Sequence, residues 1–235
     1  MCGRYSLTAP NAFELRSRFG LSESVAIRPR YNVAPGDAIL ALTTDKHGTP
    51  RTAELRWGLV PPFIKEPGRG PMMINARAET VADKPAYRSA FERFRCLIPA
   101  DGLYEWQRDP SSSAKQAFHI TRADGQPFAF AGLWSVWHRG EADELRSATI
   151  ITTAANDAIA PLHDRMPAIL SAGDEQAWLD HGTPAPILHQ LLHGLTAQET
   201  SLRRVGPAVN NARYDGPECL ADPPVAEPPS QSALF

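Results

Sequence analysis

Hydrophobic and polar residues alternate along many short stretches of this chain, and segments rich in proline or glycine separate these stretches. Alternation with a period of two, bounded by such breakers, is typical of β-strands. Strands are therefore predicted at Ile39–Thr44, Thr52–Val60, Arg95–Ile98, Leu103–Gln107, Phe118–Thr121, Phe128–Trp134, Ala148–Thr153 and Leu202–Val205.

Fewer segments show the helical period, and all of them are short. Thr8–Gly20 has a proline in its expected first turn and a glycine at its end, which is typical of a helix. Ala86–Phe94 would place its aromatic residues on one face, and shorter helices are predicted at Asp174–Leu179 and Pro186–His193. Many short strands with few helices predict an α+β fold, built on a curved, barrel-like antiparallel β-sheet core with peripheral helices.

The length of 235 residues suits one large domain better than two small ones. We expect this domain to cover residues 2–214 and residues 215–235 to form a disordered tail, because the tail is rich in proline, glutamate and serine. No apolar run approaches the roughly 20 residues that cross a bilayer, and the N-terminus does not resemble a secretory signal. A monomeric cytoplasmic protein without membrane contact is expected, associated with the nucleoid if bacterial.

Charge is distributed unevenly along the chain. Residues 1–108 carry 16 Lys+Arg and 11 Asp+Glu, whereas residues 109–235 carry 8 and 15, and the whole chain has a net charge of −2. The N-terminal half therefore has a balance of +5. This balance permits an anionic ligand there without establishing one.

Metal and cofactor sites are not expected. The three cysteines, Cys2, Cys96 and Cys219, are too few and too scattered for a disulfide framework or a zinc cage. No histidine, cysteine or acidic spacing matches a zinc motif, and neither a glycine-rich phosphate loop nor a Gly-x-Ser-x-Gly elbow occurs. Cys96 lies in an apolar run and is predicted to be an inert buried thiol.

Cys2 has a position that can change its chemistry. Removal of Met1 would leave it with a free α-amine, of reference pKa about 8, beside a thiol of about 8.5. The amine can condense with an aldehyde to an imine, and the thiol can then close a five-membered thiazolidine. Such intramolecular closures reach effective molarities of ~10⁵ M or more. Taken alone, Cys2 is more simply explained as the second residue of an ordinary protein.

The segment Ile74–Glu79 alternates between apolar and polar residues. If it is extended, Asn75, Arg77 and Glu79 share one face. The amide could orient an amine, the guanidinium could hold a phosphate, and the carboxylate could neutralise the arginine. An exposed sheet face with an incidental ion pair explains the pattern equally well.

A second alternating segment contains Glu105. This residue would share a face with Leu103, while Tyr104 and Trp106 lie on the other. A carboxyl group between large aromatic residues can be partly desolvated, which raises its pKa towards the range useful for acid–base catalysis. The alternative is a surface glutamate.

Pro161–Pro167 presents a histidine, an aspartate and an arginine between two prolines that restrict the backbone. His163 could accept or donate a proton at neutral pH. The other histidines have less distinctive settings, and His119 is expected to occupy an ordinary strand position.

Taken together, several segments resemble the SRAP family, the SOS-response-associated peptidases. Each segment is weak evidence alone, but they follow the family's order from residue 2 to about residue 170. The matching segments are Met1–Tyr5, Tyr31–Pro35, Arg56–Pro61, Ile74–Thr80, Asp101–Trp106, Thr152–Asn156 and Leu162–Pro167.

This resemblance implies a sensor of abasic sites in single-stranded DNA that acts in the DNA damage response. In the family, an exposed cysteine at this position forms a thiazolidine with the ring-opened deoxyribose, and the resulting DNA–protein crosslink shields the lesion. By the same resemblance, Asn75 would orient the Cys2 amine and Glu105 would transfer protons during imine formation. His163 would assist sugar ring opening and crosslink reversal.

The resemblance also implies a DNA-binding channel lined by Arg4, Asn32, Arg77, Thr152 and Arg165. One departure concerns Phe63 and Ile64, where some relatives have two large aromatic residues that wedge against bases. Phe63 can still stack on a base, whereas Ile64 offers apolar contact alone.

Two other functions remain open on the sequence. A cysteine peptidase could use Cys2, His163 and Glu105, for example in limited self-cleavage. A non-covalent single-stranded DNA-binding module, in which Cys2 is incidental, is the other alternative, and it predicts a steep dependence of affinity on salt.

Overall fold

A computed structural model of the chain describes residues 2–8, 12–21, 25, 27–108 and 115–224. The strands in these residues are β1 (Tyr5–Leu7), β2 (Arg30–Val33), β3 (Ala38–Thr44), β4 (Pro50–Trp57), β5 (Asn75–Arg77), β6 (Arg95–Ala100), β7 (Gly102–Arg108), β8 (Lys115–Arg122), β9 (Phe128–Trp137), β10 (Leu145–Ala154), β11 (Arg165–Pro167), β12 (Ile169–Leu170) and β13 (Thr200–Val205). The α-helices are α1 (Ala12–Phe19), α2 (Pro85–Arg93), α3 (Glu175–Leu179) and α4 (Ala185–Gln190), and 3₁₀ helices cover Pro207–Asn210 and Pro217–Leu220.

Every segment predicted as a strand is confirmed, and most strands extend one to three residues further than predicted. The exception is β4, which ends at Trp57 instead of Val60. Gly58 follows with a φ of 129°, a backbone conformation that residues with a side chain rarely adopt. A Cβ atom at this position would also lie 2.5 Å from Cγ of Met72.

The predicted helices are confirmed, three with shorter bounds and α2 shifted by one residue towards the N-terminus. α1 ends at Phe19, and Gly20 follows in the left-handed region with a φ of 60°. Pro10, expected in the first turn, lies outside the described residues. α2 begins at Pro85, which suits a first turn because a proline there loses no intrahelical hydrogen bond.

One sheet closes on itself to form a ring of strands. β10 pairs with β9, β9 with β6, β6 with β3 and β3 with β4, all antiparallel, and β4 returns to β10 in a parallel pairing. β5 adds a second parallel pairing beside the later residues of β10. The barrel-like α+β core is therefore confirmed, although the prediction of antiparallel pairing is wrong at β10. Parallel pairing is possible there because long connections separate the paired strands.

A second sheet, in the order β13-β8-β7-β1-β2, covers the ring. The aromatic ring of Tyr5 in β1 packs edge to face against the side chains of Trp57 in β4 and Phe130 in β9. The distances between ring centroids are 5.4 and 5.6 Å. All three side chains are fully buried. The main core therefore lies between the two sheets and continues through the ring.

The strands that the sequence did not predict have two to four residues each: β1, β2, β11 and β12. Such segments are too short to show a period of two. Their strand conformation depends on pairing partners that are distant in the chain, such as Leu103 for Tyr5 and Thr153 for Met166.

The prediction of a disordered tail from Asp215 is wrong for residues 215–224. The Asp215 carboxylate accepts hydrogen bonds from the backbone N–H groups of Tyr31 and Asn32, at 2.6 and 2.7 Å. Cys219 is fully buried. Amino-acid composition could not predict this packing, because it depends on one carboxylate, that of Asp215, which binds the backbone N–H groups of the distant strand β2. The rest of the predicted tail lies outside the described residues.

Candidate active site

Cys2 lies just before β1, and its side chain is completely buried in the main core. The resemblance implied an exposed cysteine, and this expectation is wrong for the Cys2 thiol. Burial raises the pKa of the thiol well above its usual range, and the nearby charge of Glu105 raises it further. At neutral pH the thiol is protonated.

Asn75 of β5 contacts the backbone of Cys2 directly. Its Nδ2 donates a hydrogen bond to the Cys2 carbonyl oxygen at 2.9 Å. Its Oδ1 is buried and has no hydrogen-bond partner among the described residues. Parallel pairing of Asn75 with Ile150 of β10 fixes the strand that carries it. The amide therefore retains an unused acceptor beside Cys2.

Glu105 of β7 is buried, so the alternative of a surface glutamate is wrong. Burial is the largest cause that raises the pKa of this carboxyl, to about 7. The charge of Asp164 raises it further, which shows that the Pro161–Pro167 loop lies near β7. Leu103 belongs to the main core and Tyr104 to a smaller second cluster, which confirms the predicted alternation.

His163 lies half-buried in the loop after β10. Its Nδ1 accepts a hydrogen bond from the backbone N–H of Arg165 at 2.9 Å and lies 2.8 Å from a carboxylate oxygen of Asp164. Burial lowers the pKa of the ring, so the neutral form is favoured at neutral pH. The Arg165 N–H favours a proton on Nε2, whereas the Asp164 carboxylate favours one on Nδ1, so the ring lies between a donor and an acceptor.

The sequence suggested that Glu79 neutralises Arg77. In the structure, the ion-pair partner of Glu79 is Arg165. The two oxygens of Glu79 accept hydrogen bonds from both terminal nitrogens of Arg165, at 2.7 and 2.9 Å. These bonds hold the pKa of Glu79 below its usual range. Arg77 is exposed and has no carboxylate partner among the described residues. Arg77 is therefore the exposed cation on this face, close enough to Glu79 for its charge to help lower that pKa.

Two residues expected to line the DNA channel are buried instead. The Asn32 amide donates to three backbone carbonyls and accepts a hydrogen bond from Arg4 at 2.9 Å. The Thr152 hydroxyl lies 3.3 Å from the carbonyl oxygen of Ala76, to which it donates. Because their polar atoms are engaged inside the protein, both side chains position other groups instead of lining a channel.

Arg4 and Trp106 border a cavity of about 480 Å³, together with Lys115 and Asn210. The Arg4 guanidinium lies 5.9 Å from the Trp106 ring, and the indole N–H donates to Asn210 at 2.7 Å. Strand alternation places Trp106 on the opposite face of β7 from Glu105. That alternation was visible in the sequence, but the contribution of Asn210 was not.

Phe63 lies in the Pro61–Pro71 loop, which has no helix or strand, as predicted. Its side chain is 62% exposed, so it is available for an apolar contact. Ile64 is half-buried, and its carbonyl oxygen accepts a hydrogen bond from the Trp137 indole at 2.6 Å. Met72, which the sequence had not singled out, is 45% exposed at the end of this loop.

His119 is not an ordinary strand residue. It is buried, its Nε2 lies 2.9 Å from the hydroxyl oxygen of Ser6, and that hydroxyl donates to Asp101 at 2.6 Å. Burial lowers the pKa of His119 to about 4. A Cβ atom on Gly102 would lie 2.0 Å from the ring, so only glycine fits beside it.

One group of potential metal ligands occurs within the described residues. His138, Glu141 and Asp143 bring ligand atoms within 4.8 Å of one another on an exposed hairpin. The His138 ring already contacts Asp143 at 3.0 Å, and none of the predicted site residues belongs to this group. In the described part of the chain, the helices are too short or too polar to cross a membrane.

A family model decides where this site belongs. The model described as SOS response associated peptidase (SRAP) matches residues 1–212. The chain belongs to the SRAP family. Cys2, Asn75, Glu105 and His163 all lie within the matched residues, and the SRAP match extends to within three residues of Asp215.

The alignments with two named relatives span most of this chain. It is 38% identical over 225 residues to the abasic site processing protein YoqW of Bacillus subtilis, a match that covers 94% of this chain and 99% of that protein. It is 34% identical over 231 residues to the abasic site processing protein HMCES of Xenopus tropicalis, covering 85% and 68%. A crystal structure of a Bacteroides thetaiotaomicron protein superimposes with a TM-score of 0.82 at 23% identity, covering 94% and 99%, and supports the fold.

Proposed function

We propose that this protein captures abasic sites in single-stranded DNA through a covalent thiazolidine formed by Cys2. The observation that carries the proposal is the convergence of the Asn75 amide and the buried Glu105 carboxyl on Cys2. The names of its relatives, abasic site processing proteins, support the same class of lesion.

The first step needs the amine of Cys2, which exists once Met1 is removed. Its nitrogen lone pair attacks the aldehyde carbon of the ring-opened sugar, and loss of one water gives the imine. The free acceptor of Asn75 can take a hydrogen bond from this amine and orient its lone pair. The carboxyl of Glu105 can protonate the departing hydroxyl.

In the second step the thiol adds to the imine carbon. The new carbon–sulfur bond forms as the sulfur loses its proton, and the imine nitrogen gains one. Because burial keeps the Cys2 thiol protonated, a neighbouring base has to accept that proton. Glu105, with a pKa of about 7, exists in both protonation states near neutral pH and can serve each step.

His163 assists the reaction before the aldehyde is available. An abasic sugar is mainly a cyclic hemiacetal, and its ring must open before an amine can attack. The neutral His163 ring can accept the proton of the hemiacetal hydroxyl, and the imidazolium can pass a proton to the sugar ring oxygen as the C–O bond breaks. The same side chain can act in the reverse reaction.

The surrounding surface has groups suited to a DNA strand. Arg77 is exposed and free to meet a phosphate, and Arg165 is held at the site by Glu79. Phe63 and Met72 offer exposed apolar contacts to bases. The partner is therefore single-stranded DNA that contains an abasic site.

A peptidase based on Cys2 is a weaker candidate. The nucleophile of a cysteine peptidase is the thiolate, and burial raises the pKa of this thiol instead of lowering it. The proposed capture does not need a preformed thiolate, because the amine reacts first.

The test uses protein from which Met1 has been removed and a uracil-containing oligonucleotide treated with uracil glycosylase. The wild-type protein should give a heat-stable shifted band without reductant. Cys2→Ser keeps the amine and should give a band only with borohydride, which traps the imine. If Cys2→Ala gives as much heat-stable adduct as the wild type, the proposed function is wrong.

A further inference from the structure

A cavity of about 820 Å³ lies at the C-terminal end of α2 and belongs to none of the groups described above. Its walls come from the end of β3 and the following turn, the end of α2, the middle of β9 and the hairpin between β9 and β10. The residues that matter here are Lys46, Arg93, Phe94, Trp134 and Arg139.

Two aromatic side chains form the apolar part of this cavity. Phe94 and Trp134 are both partly exposed, and their rings meet edge to face with centroids 5.2 Å apart. The Arg139 guanidinium lies 5.6 Å from the Phe94 ring. A planar ring that entered the cavity would therefore meet aromatic surface beside a cation.

The cavity has a small surplus of positive charge, because four lysine or arginine side chains line it against three carboxylates. Lys46, Arg93 and Arg139 have no carboxylate partner among the described residues, and all three are exposed. The Glu144 carboxylate is engaged by Arg146 at 2.7 Å. Asp45 accepts hydrogen bonds within its own turn and from Arg51. The acid that remains is Glu92, so the unpaired cations outnumber the unpaired carboxylates.

The helix α2 connects this cavity to the proposed active site. Near its N-terminal end, the Tyr87 hydroxyl donates to the backbone oxygen of Asn75 at 3.2 Å. Phe94 follows its last residue, and the rise from Tyr87 to Phe94 is about 10 Å. Lys84 and Arg88 are exposed on the way, again without a carboxylate partner in the described chain. From Asp83 to Arg93 the exposed cations Lys84, Arg88 and Arg93 therefore outnumber the exposed acids Asp83 and Glu92.

We propose that this cavity holds a second nucleotide of the captured strand, with its base against Trp134 and Phe94 and its phosphate on Arg93 and Arg139. The occupant is a nucleobase with an adjoining phosphate, because aromatic surface beside unpaired cations matches both parts of that unit. The strand would follow α2 and its cations from the lesion. The identity of this strand rests on the proposed function.

The test measures how crosslinking depends on the length of DNA beside the lesion. Abasic oligonucleotides are prepared with arms of increasing length on one side of the lesion, in one series for the 5′ side and one for the 3′ side. For the wild type, the concentration for half-maximal crosslinking should fall about tenfold at a defined arm length in one series and then level off. A gain of this size is the low end of what one base–aromatic stack provides.

Arg93→Glu combined with Arg139→Glu should abolish this gain and leave crosslinking of the shortest substrate unchanged. The matched control is Arg203→Glu with Arg204→Glu, the same charge change on exposed residues of β13 in the other sheet. The control should keep the tenfold gain. Phe94→Leu, which keeps apolar packing, should lose most of the gain without any change in charge.

Three results would overturn the inference: no step in either series, an equal loss on the shortest substrate, or an equal loss in the control. Undamaged oligo-dT of the same lengths, measured by fluorescence anisotropy, separates this inference from the proposed function. A length step in oligo-dT binding that the double variant removes supports the cavity even if no crosslink forms. Competition by dTMP alone at similar concentrations would make the cavity a free-nucleotide site and contradict the strand contact.

Discussion

At the scale of single residues, burial controls the protonation states on which the proposed chemistry depends. It keeps the Cys2 thiol protonated, brings the pKa of Glu105 to about 7, and favours neutral His163. A protonated thiol beside a carboxyl that titrates near neutral pH suits amine attack followed by thiol addition. It does not suit direct attack by a thiolate.

The role of His163 can be separated from the covalent step. His163→Gln should slow capture of abasic DNA roughly 10²-fold, because sugar ring opening loses its acid–base group. Thiazolidine formation with a small linear aldehyde, which has no ring to open, should keep the wild-type rate. Rates of adduct formation with both substrates, followed by mass spectrometry, test this role. Equal slowing with both aldehydes would assign His163 to a later step.

The residues to which the proposal gives chemical roles were largely visible in the sequence, whereas their surroundings were not. The alternation of apolar and polar residues predicted on which strand face Asn75 and Glu105 lie. Cys2 was singled out because it directly follows Met1. The burial of Asn32 depends on carbonyls of residues 209, 211 and 214, which are distant in the chain. No local pattern could have shown that Asn32 holds Arg4 instead of DNA.

At the scale of secondary-structure elements, one buried cation joins the helices to the ring. Arg95 of β6 donates to the backbone carbonyls of Phe91 and Glu92 at the end of α2, at 2.7 Å each. It also donates to the carbonyls of Trp178 and Asp180 at the end of α3, at 2.6 Å each. Orphan carbonyls at two helix ends are thus satisfied by one guanidinium.

Arg95→Met should therefore destabilise the protein by about 3 kcal/mol, because it leaves buried carbonyls without donors. Urea denaturation measures the free energy of unfolding, and Arg203→Met on the exposed surface of β13 is the control, expected within about 0.5 kcal/mol of wild type. A loss at Arg95 no larger than this control would show that water satisfies the carbonyls equally well.

The segment after Tyr214 is the second element whose role can be tested. A chain that ends at Pro224 should unfold at the same urea concentration as the full chain. A chain that ends at Tyr214 should lose about 3 kcal/mol, because the backbone N–H groups of β2 lose the Asp215 carboxylate and the buried Cys219 is removed. Equal midpoints for both truncations would contradict the packing described for Asp215 and Cys219.

Element by element, the sequence predicted the longer strands and helices because their periodicity is local. It failed at β1, β2, β11 and β12, whose few residues are extended because distant strands pair with them. These same short strands position Cys2, Asn32 and Arg165. The candidate site therefore depends most on the elements that local patterns predict least well.

At the scale of the whole molecule, two buried titratable groups make the free energy of unfolding depend on pH in opposite directions. Glu105 has a folded pKa of about 7 against an ordinary value of 4.5, so folding takes up a proton between these values and stability falls as pH rises through them. His119 has a folded pKa of about 4 against 6.5, so folding releases a proton and stability falls as pH falls through that window.

The two contributions should largely cancel between pH 4.5 and 6.5, each being about 2–3 kcal/mol. Glu105→Gln should expose the His119 contribution: the variant gains about 3 kcal/mol over wild type at pH 8, and this gain largely disappears as pH falls to 4.5. Urea midpoints across this pH range measure the effect. A constant difference between variant and wild type at all pH values would show that Glu105 has an ordinary pKa.

The fold itself connects these scales, because the ring of strands supplies Asn75 and the covering sheet supplies Glu105 to the surroundings of Cys2. The central claim is that Cys2 closes a thiazolidine with an abasic sugar, and intact mass spectrometry of the adduct tests it most directly. The account predicts a protein without Met1 whose adduct has the summed mass of protein and abasic oligonucleotide less one water, with no change after borohydride treatment. An adduct that gains two hydrogens with borohydride, or one formed by protein that retains Met1, would contradict the thiazolidine.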